Sequence, residues 1–267
     1  MKNALMNKKL AILVITVVLF AASQNAITGA ASASGQDAAD SSATATAQKK
    51  PPRVLLYFGL YTQWYRIKES LEPIPGHTLR ISNARTDGAD FIANEKELSA
   101  FDVVVMSDVN YDSIKESGLA AIESFVKKGG GLVVLGGPFT YGAGKYDGTV
   151  FADILPVETT GPFDIKWKKK GKPFSVAKEH AIIKDLDLRD SPHVYWIHDT
   201  RPKPGSTQVL KAGKRPLLVL GKYGKGRVAV FLGTPMGEAS KDQIPFWKWK
   251  EWDKLVRNTF AWLTPIH

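Results

Sequence analysis

From Arg53 onward the chain alternates short apolar runs with amphipathic stretches. Arg53–Phe58 (RVLLYF) is continuously apolar after its arginine, as a strand covered on both faces should be. Gln63 to Leu71 reads as a helix, stopped by Pro73, Pro75 and Gly76. His77–Ser82 and Phe101–Met106 (FDVVVM) predict the second and third strands, the third ending at Ser107-Asp108. From Ser113 to Lys128 the residues Ile114, Leu119, Ile122, Phe125 and Val126 form a helical stripe. Lys127 and Lys128 suit the negative end of that helix dipole, and Gly129 suits its C-cap. Leu132–Leu135 is the fourth strand, and Val150 to Leu155 a short helix before Pro156.

The second half changes character. Phe163–Trp167 and Pro173–Ala177 flank a Lys/Gly segment and predict a hairpin with a solvated tip. Val194–Ile197 is another strand. Leu217–Leu220 and Arg227–Leu232 are joined through Gly221-Lys222-Tyr223-Gly224-Lys225-Gly226, a strong antiparallel hairpin signal. Trp249 to Leu263 closes the chain as an amphipathic helix, with Trp252, Leu255, Val256, Phe260 and Leu263 at helical spacing. Strand–helix units followed by antiparallel strands predict an α/β fold: a parallel sheet flanked by helices, with an antiparallel extension in the C-terminal half.

The segment before Arg53 follows other rules. Lys2, Lys8 and Lys9 precede an uncharged, almost wholly apolar run from Leu10 to Ala22. That run is too short for a spanning helix, which needs about 20 residues. It matches a signal peptide over residues 1–30, with cleavage after Ser23, Ala30 or Ala33. Residues 31–52 are rich in Ala, Ser and Thr and form the expected disordered linker. Residues 53–267 are then one domain, exported to a periplasmic or extracellular space, without stable membrane insertion once the signal is removed.

The net charge of +10 falls to +7 when the three lysines of that segment go. The remaining charge is dispersed except at Lys166 to Lys172, and no nucleic-acid motif accompanies it. The chain has no cysteine, which excludes disulfides, a lipidated N-terminus and any thiol chemistry.

Ligands of open α/β sheets bind where parallel strands present their carboxyl ends. The candidate binding residues are therefore Gly59, Tyr61, Ser107, Asp108, Gly136, Gly137, Thr140, Tyr141, Gly142 and Tyr146. Asp108, Thr140 and His198 are the candidates for catalysis, with Asp199 as a partner for His198. The glycines with Lys145 lack the G-K-[ST] ending of a phosphate loop. His193 and His198 stand on opposite faces of a strand, so no metal site is expected and no cofactor is implied. The aromatic run Phe246, Trp247, Trp249 and Trp252 fits core packing better than a sugar-stacking platform.

Several blocks taken together carry a resemblance: GGPFTYGAGKY from Gly136, Leu155-Pro156-Val157, RPKPG from Arg201, and YGKGRV from Tyr223. Their order resembles the glutamine amidotransferase-like domain family over roughly Arg53 to Leu263. The resemblance implies a flavodoxin-like sheet similar to that of class I glutamine amidotransferases. Those enzymes use a cysteine at the turn after the strand, with a histidine and a glutamate. Here the turn reads Gly136-Gly137-Pro138-Phe139, so the acyl-enzyme route through a thiol is closed. The expectation is a domain without glutaminase activity, non-catalytic or weakly catalytic, binding a small molecule or an envelope protein at the carboxyl edge. The alternatives are a hydrolase using hydroxyl, carboxylate and histidine groups at that edge, and an envelope scaffold.

Overall fold

The computed structural model describes residues 51–84 and 94–264; the expected signal peptide and almost all of the linker lie outside them. The apolar runs form the middle of one ten-stranded sheet. Strand β1 (Arg53–Phe58) lies between β2 (Thr78–Asn83) and β3 (Val103–Ser107), followed by β4 (Gly131–Leu135) and β11 (Gly226–Phe231), all parallel. Every residue of β3 and β4 is buried, which is why their sequences show no alternation. Beyond β11 the sheet turns antiparallel through β10 (Arg215–Tyr223), β9 (Thr207–Ala212), β6 (Ile165–Val176), β7 (His193–His198) and β12 (Gly233–Thr234). A two-stranded sheet pairs β5 (Val157–Thr159) with β8 (Thr200–Pro202).

Helix α5 (Trp252–Leu263) lies on β4 and β11 and packs against α1 (Ile67–Leu71). Helix α3 (Tyr111–Lys127) contacts β11 and packs with α2 (Glu95–Leu98) and α4 (Val150–Ile154). Among the described residues no helix is long and apolar enough to cross a membrane. The β10–β11 hairpin sits directly on the end of α3. A Cβ at Gly226 would lie 2.1 Å from the Val126 carbonyl oxygen, so only glycine permits this approach. The turn repays it: Lys225 N donates to Lys127 O at 3.0 Å, satisfying a terminal helix carbonyl.

Two elements differ from the sequence pattern. The predicted helix Gln63–Leu71 is split into a 3₁₀ turn, Thr62–Tyr65, and α1, with Arg66 left-handed at φ +53°. Tertiary anchors on either side of the break override helix propensity: the Tyr65 hydroxyl reaches the sheet, and Arg66 makes a forked pair with Asp253 of α5 at 2.8 and 3.0 Å. The predicted hairpin around Lys166–Lys172 is one strand. Both halves of β6 pair with β7, Trp167 opposite Trp196 and Lys172 opposite Val194. The residues between bulge out, helped by Gly171 at φ +58°.

The aromatic run before α5 is core. Phe246, Trp247, Trp249 and Trp252 are buried, and the Trp252 ring lies about 5 Å from those of Phe231 and Phe246. The Trp252 indole N–H donates to the Tyr65 carbonyl at 2.8 Å, locking α5 to the loop after β1. Replacing Trp252 by Ala should therefore cost about 3–5 kcal/mol. Urea unfolding followed by circular dichroism would show it as a lowered midpoint.

Candidate functional site at the carboxyl edge

The strands β1, β3, β4 and β11 all end on one side, and their following residues meet there. Asp108, next after β3, is buried and left-handed at φ +54°. Its carboxylate does not cap the helix that follows; Asn110 does, accepting from Ser113 N at 3.0 Å. Instead Asp108 Oδ2 accepts from Leu60 N at 2.9 Å and Oδ1 from Phe139 N at 2.7 Å. One carboxylate thus ties the loop after β1 to the loop after β4. The loop after β1 is braced again by Thr62, whose Oγ accepts from Gly59 N at 3.0 Å and lies 2.9 Å from Ser107 Oγ.

Gly137 occupies the turn after β4. A Cβ built there would stand 2.4 Å from Asp108 Oδ1 and 2.6 Å from its Cβ. The space a side-chain nucleophile would need is filled by the aspartate. On the other side of the turn, His198 Nε2 is 3.1 Å from Gly137 O and 3.4 Å from Gly137 N. His198 Nδ1 stands 3.1 Å from Asp164 Oδ1, in a polar contact whose angle is not that of a straight hydrogen bond. Both side chains have no exposed surface. Asp164 Oδ2 also accepts from Gly142 N at 3.1 Å, tying the glycine loop to the same pair. Acid, imidazole and turn stand in the order used by hydrolytic triads, but the third member is backbone.

The partner of His198 is therefore Asp164 and not Asp199. Successive strand residues point to opposite faces. Asp199 instead pairs with Arg215 at 3.1 Å. Asp164 arrives because Ile165 is in register with His198. Nothing in the sequence announces that register across more than thirty residues, so the sequence pattern does not bring Asp164 to His198.

Three tyrosines seal the edge from inside. The Tyr65 hydroxyl lies 2.8 Å from Gly136 O and 2.6 Å from Gly233 O. Tyr141 donates to Val134 O at 2.8 Å, and Tyr146 donates to Val109 O. All three are fully buried. Burial raises each phenol's pKa well above its ordinary value, and the Asp108 charge adds to the rise at Tyr65 and Tyr146. Thr140 is fully buried beside them. Of the residues expected at this edge, Gly59, Ser107, Asp108, Gly136, Gly137, Thr140, Tyr141, Gly142 and Tyr146 gather as a packed wall, while Tyr61 is partly exposed in the first loop. The open part is a cleft of about 120 Å³ lined by Asp108, Asn110, Ser113 and Phe139. Leu60 and Phe139, whose amides bind Asp108, are exposed beside it at 41 and 38 %, and Trp64, in the turn after β1, is exposed at 44 %. Among the described residues no three His, Asp or Glu side chains gather as a metal site requires.

A family model described as "Putative glutamine amidotransferase" matches residues 74–265, and the chain belongs to that family. Among solved structures, a cytoplasmic protein from Salmonella typhimurium superposes with a TM-score of 0.68 at 23% identity, covering 80% of this chain and all of the other. A second cytoplasmic protein from the same organism matches at 0.68 and 20%, with the same coverage. A ThuA-like protein from Parabacteroides merdae matches at 0.58 and 18%, covering 80% of this chain and 90% of the other. These likenesses show the fold. No curated protein matches the chain in sequence.

The buried phenols set an alkaline limit on stability. Their folded pKa values are raised, so the stabilisation is intact below the unfolded value near 10 and is lost as pH climbs toward the folded values. Each such tyrosine should steepen the fall above pH ~10 by about 1.4 kcal/mol per pH unit. Urea midpoints measured between neutral and alkaline pH would show it, and Tyr141→Phe should make the slope shallower.

Proposed function

We propose that this amidotransferase-like chain is an exported recognition domain, without glutaminase activity, that binds an envelope protein at the carboxyl edge of its sheet. The observation that carries the reading is the Asp108 carboxylate 2.4 Å from where a Gly137 side chain would begin. The family fold keeps its turn, and the turn is plugged. Export rests on Lys2, Lys8, Lys9 and the short apolar run that follows them.

The size of the open cleft argues for a protein partner. A volume of about 120 Å³ is well under the roughly 300–1,000 Å³ of small-molecule sites. The exposed Leu60 and Phe139 beside a polar centre, with Trp64 exposed in the same loop as Leu60, instead suit a protein contact anchored by aromatic side chains. The hydrolase reading draws on the buried His198–Asp164 pair. Against it, His198 Nε2 is engaged by the Gly137 backbone, where a general base would need a reacting hydroxyl.

Two measurements test the reading. Ammonia release from glutamine should stay at the buffer blank for the native chain. Gly137→Cys should not restore it, and should cost about 1–3 kcal/mol through the clash with Asp108. Release that depends on Thr140 or His198 would promote the hydrolase. For the partner, a photo-crosslinking residue at position 139 should yield a discrete protein adduct in the producing cell's envelope. The same residue at position 225, on the opposite edge, should not. Equal labelling from both positions would remove the carboxyl-edge interface.

A further inference from the structure

A larger cleft is on the other edge. It has a volume of about 570 Å³ and lies beside the end of β10, the start of β9 and the C-terminal turn of α5. Because β10 runs antiparallel to β11, its end adjoins the amino edge of the parallel strands. Two of the sequence blocks that the carboxyl edge leaves unexplained converge here, beside the strand that leads into a third. Leu155 and Pro156 form one wall, Lys203-Pro204-Gly205 another, and Lys222 projects from the strand that enters the YGKGRV turn.

The chemistry of this cleft is cationic. Lys203 and Lys222 line it together with His180, against one lining carboxylate, Asp153. Lys222 is directly opposite Arg227 across the β10–β11 pair. Like charges in facing positions repel, so this pairing adds to the positive character of the cleft's edge. Arg227 is held close by its bond to Trp262 O at 2.6 Å, with its guanidinium 5.3 Å from the Trp262 ring centre. His180 packs its ring edge-on against the same Trp262, at 6.0 Å. Its Nδ1 accepts from Ile182 N at 3.2 Å, which leaves Nε2–H as a donor. Partial burial, Lys178 and Arg227 all hold its pKa below the ordinary value, consistent with a basic surrounding. Lys203 Nζ donates to Ala152 O at 2.6 Å and to Asp153 O at 3.4 Å, which leaves its third N–H to give. Trp262, Pro156 and Pro204 supply apolar walls beside these cations.

We propose that this amino-edge cleft binds a phosphomonoester of sugar size, its phosphate held by Lys222, Lys203 and His180 and its body resting against Trp262 and the two prolines. Lysine ammonium groups serve phosphate as point charges. The volume falls within the range of small-molecule sites, which the carboxyl-edge cleft does not reach. The site is independent of the partner surface around Phe139.

Glucose 6-phosphate is a suitable probe, with glucose and inorganic phosphate as comparators. Titration of the purified chain, followed by calorimetry and tryptophan fluorescence, should show saturable binding of glucose 6-phosphate. Glucose should not bind, and inorganic phosphate should bind more weakly. Lys222→Met removes an exposed charge and should weaken binding about tenfold or more, whereas Lys248→Met, an exposed lysine away from the cleft, should leave it unchanged. Thermal melting of each variant separates lost affinity from lost folding. Absence of saturable binding, or equal effects of Lys222→Met and Lys248→Met, would overturn the proposal.

Discussion

The carboxyl edge of this sheet depends on one buried charge. Asp108 stands where three chain segments converge, and its two oxygens are occupied by amides from two of them, Leu60 and Phe139. A buried carboxylate is costly unless hydrogen bonds replace its water. That requirement fixes the loops after β1 and β4 relative to β3, and their positions determine everything built on them. Gly59 must be glycine because a Cβ there would meet the Asp108 carbonyl oxygen at 2.1 Å. Gly137 must be glycine because the carboxylate itself fills the space.

The same constraint separates fold from chemistry. An acid–histidine pair reaches the turn after β4, and in outline that arrangement is hydrolytic. Here the imidazole holds the turn's backbone, and three buried tyrosines satisfy strand-end carbonyls that a reactive site would leave open to substrate. These groups act as a polar lining whose hydrogen bonds are used within the protein. Such a network rigidifies the edge, and in the loops beyond it Leu60, Trp64 and Phe139 are exposed.

The two edges of the sheet consequently differ in kind. At the carboxyl edge polar groups are buried and most are engaged with one another, while Thr140 Oγ1 and Thr234 Oγ1 have no hydrogen-bond partner. At the amino edge two lysines and a histidine line an open volume with one carboxylate among them. The antiparallel extension produces this asymmetry. Because the chain reverses at the YGKG turn between β10 and β11, the end of β10, the start of β9 and the RPKPG turn lie beside Pro156 and the end of α5.

Local pattern was enough for the architecture. Continuous apolar runs marked β1, β3 and β4, because strands covered on both faces admit no polar alternation. The glycine-rich turn marked the β10–β11 hairpin, and helical spacing marked α3 and α5. The absence of cysteine closed thiol chemistry without any structure. Pattern also placed Gly59, Asp108 and Gly137 on one edge, since parallel strands share a direction. It did not show that Asp108 plugs the turn, that His198 faces Asp164, or that Tyr65 breaks a helix to reach Gly136. Nor did it show that the lysines around β6 sit in a bulge within one strand. Those outcomes depend on register and on contacts between residues far apart in the chain. Local periodicity encodes which face of an element is buried, and only packing decides which residue it is buried against.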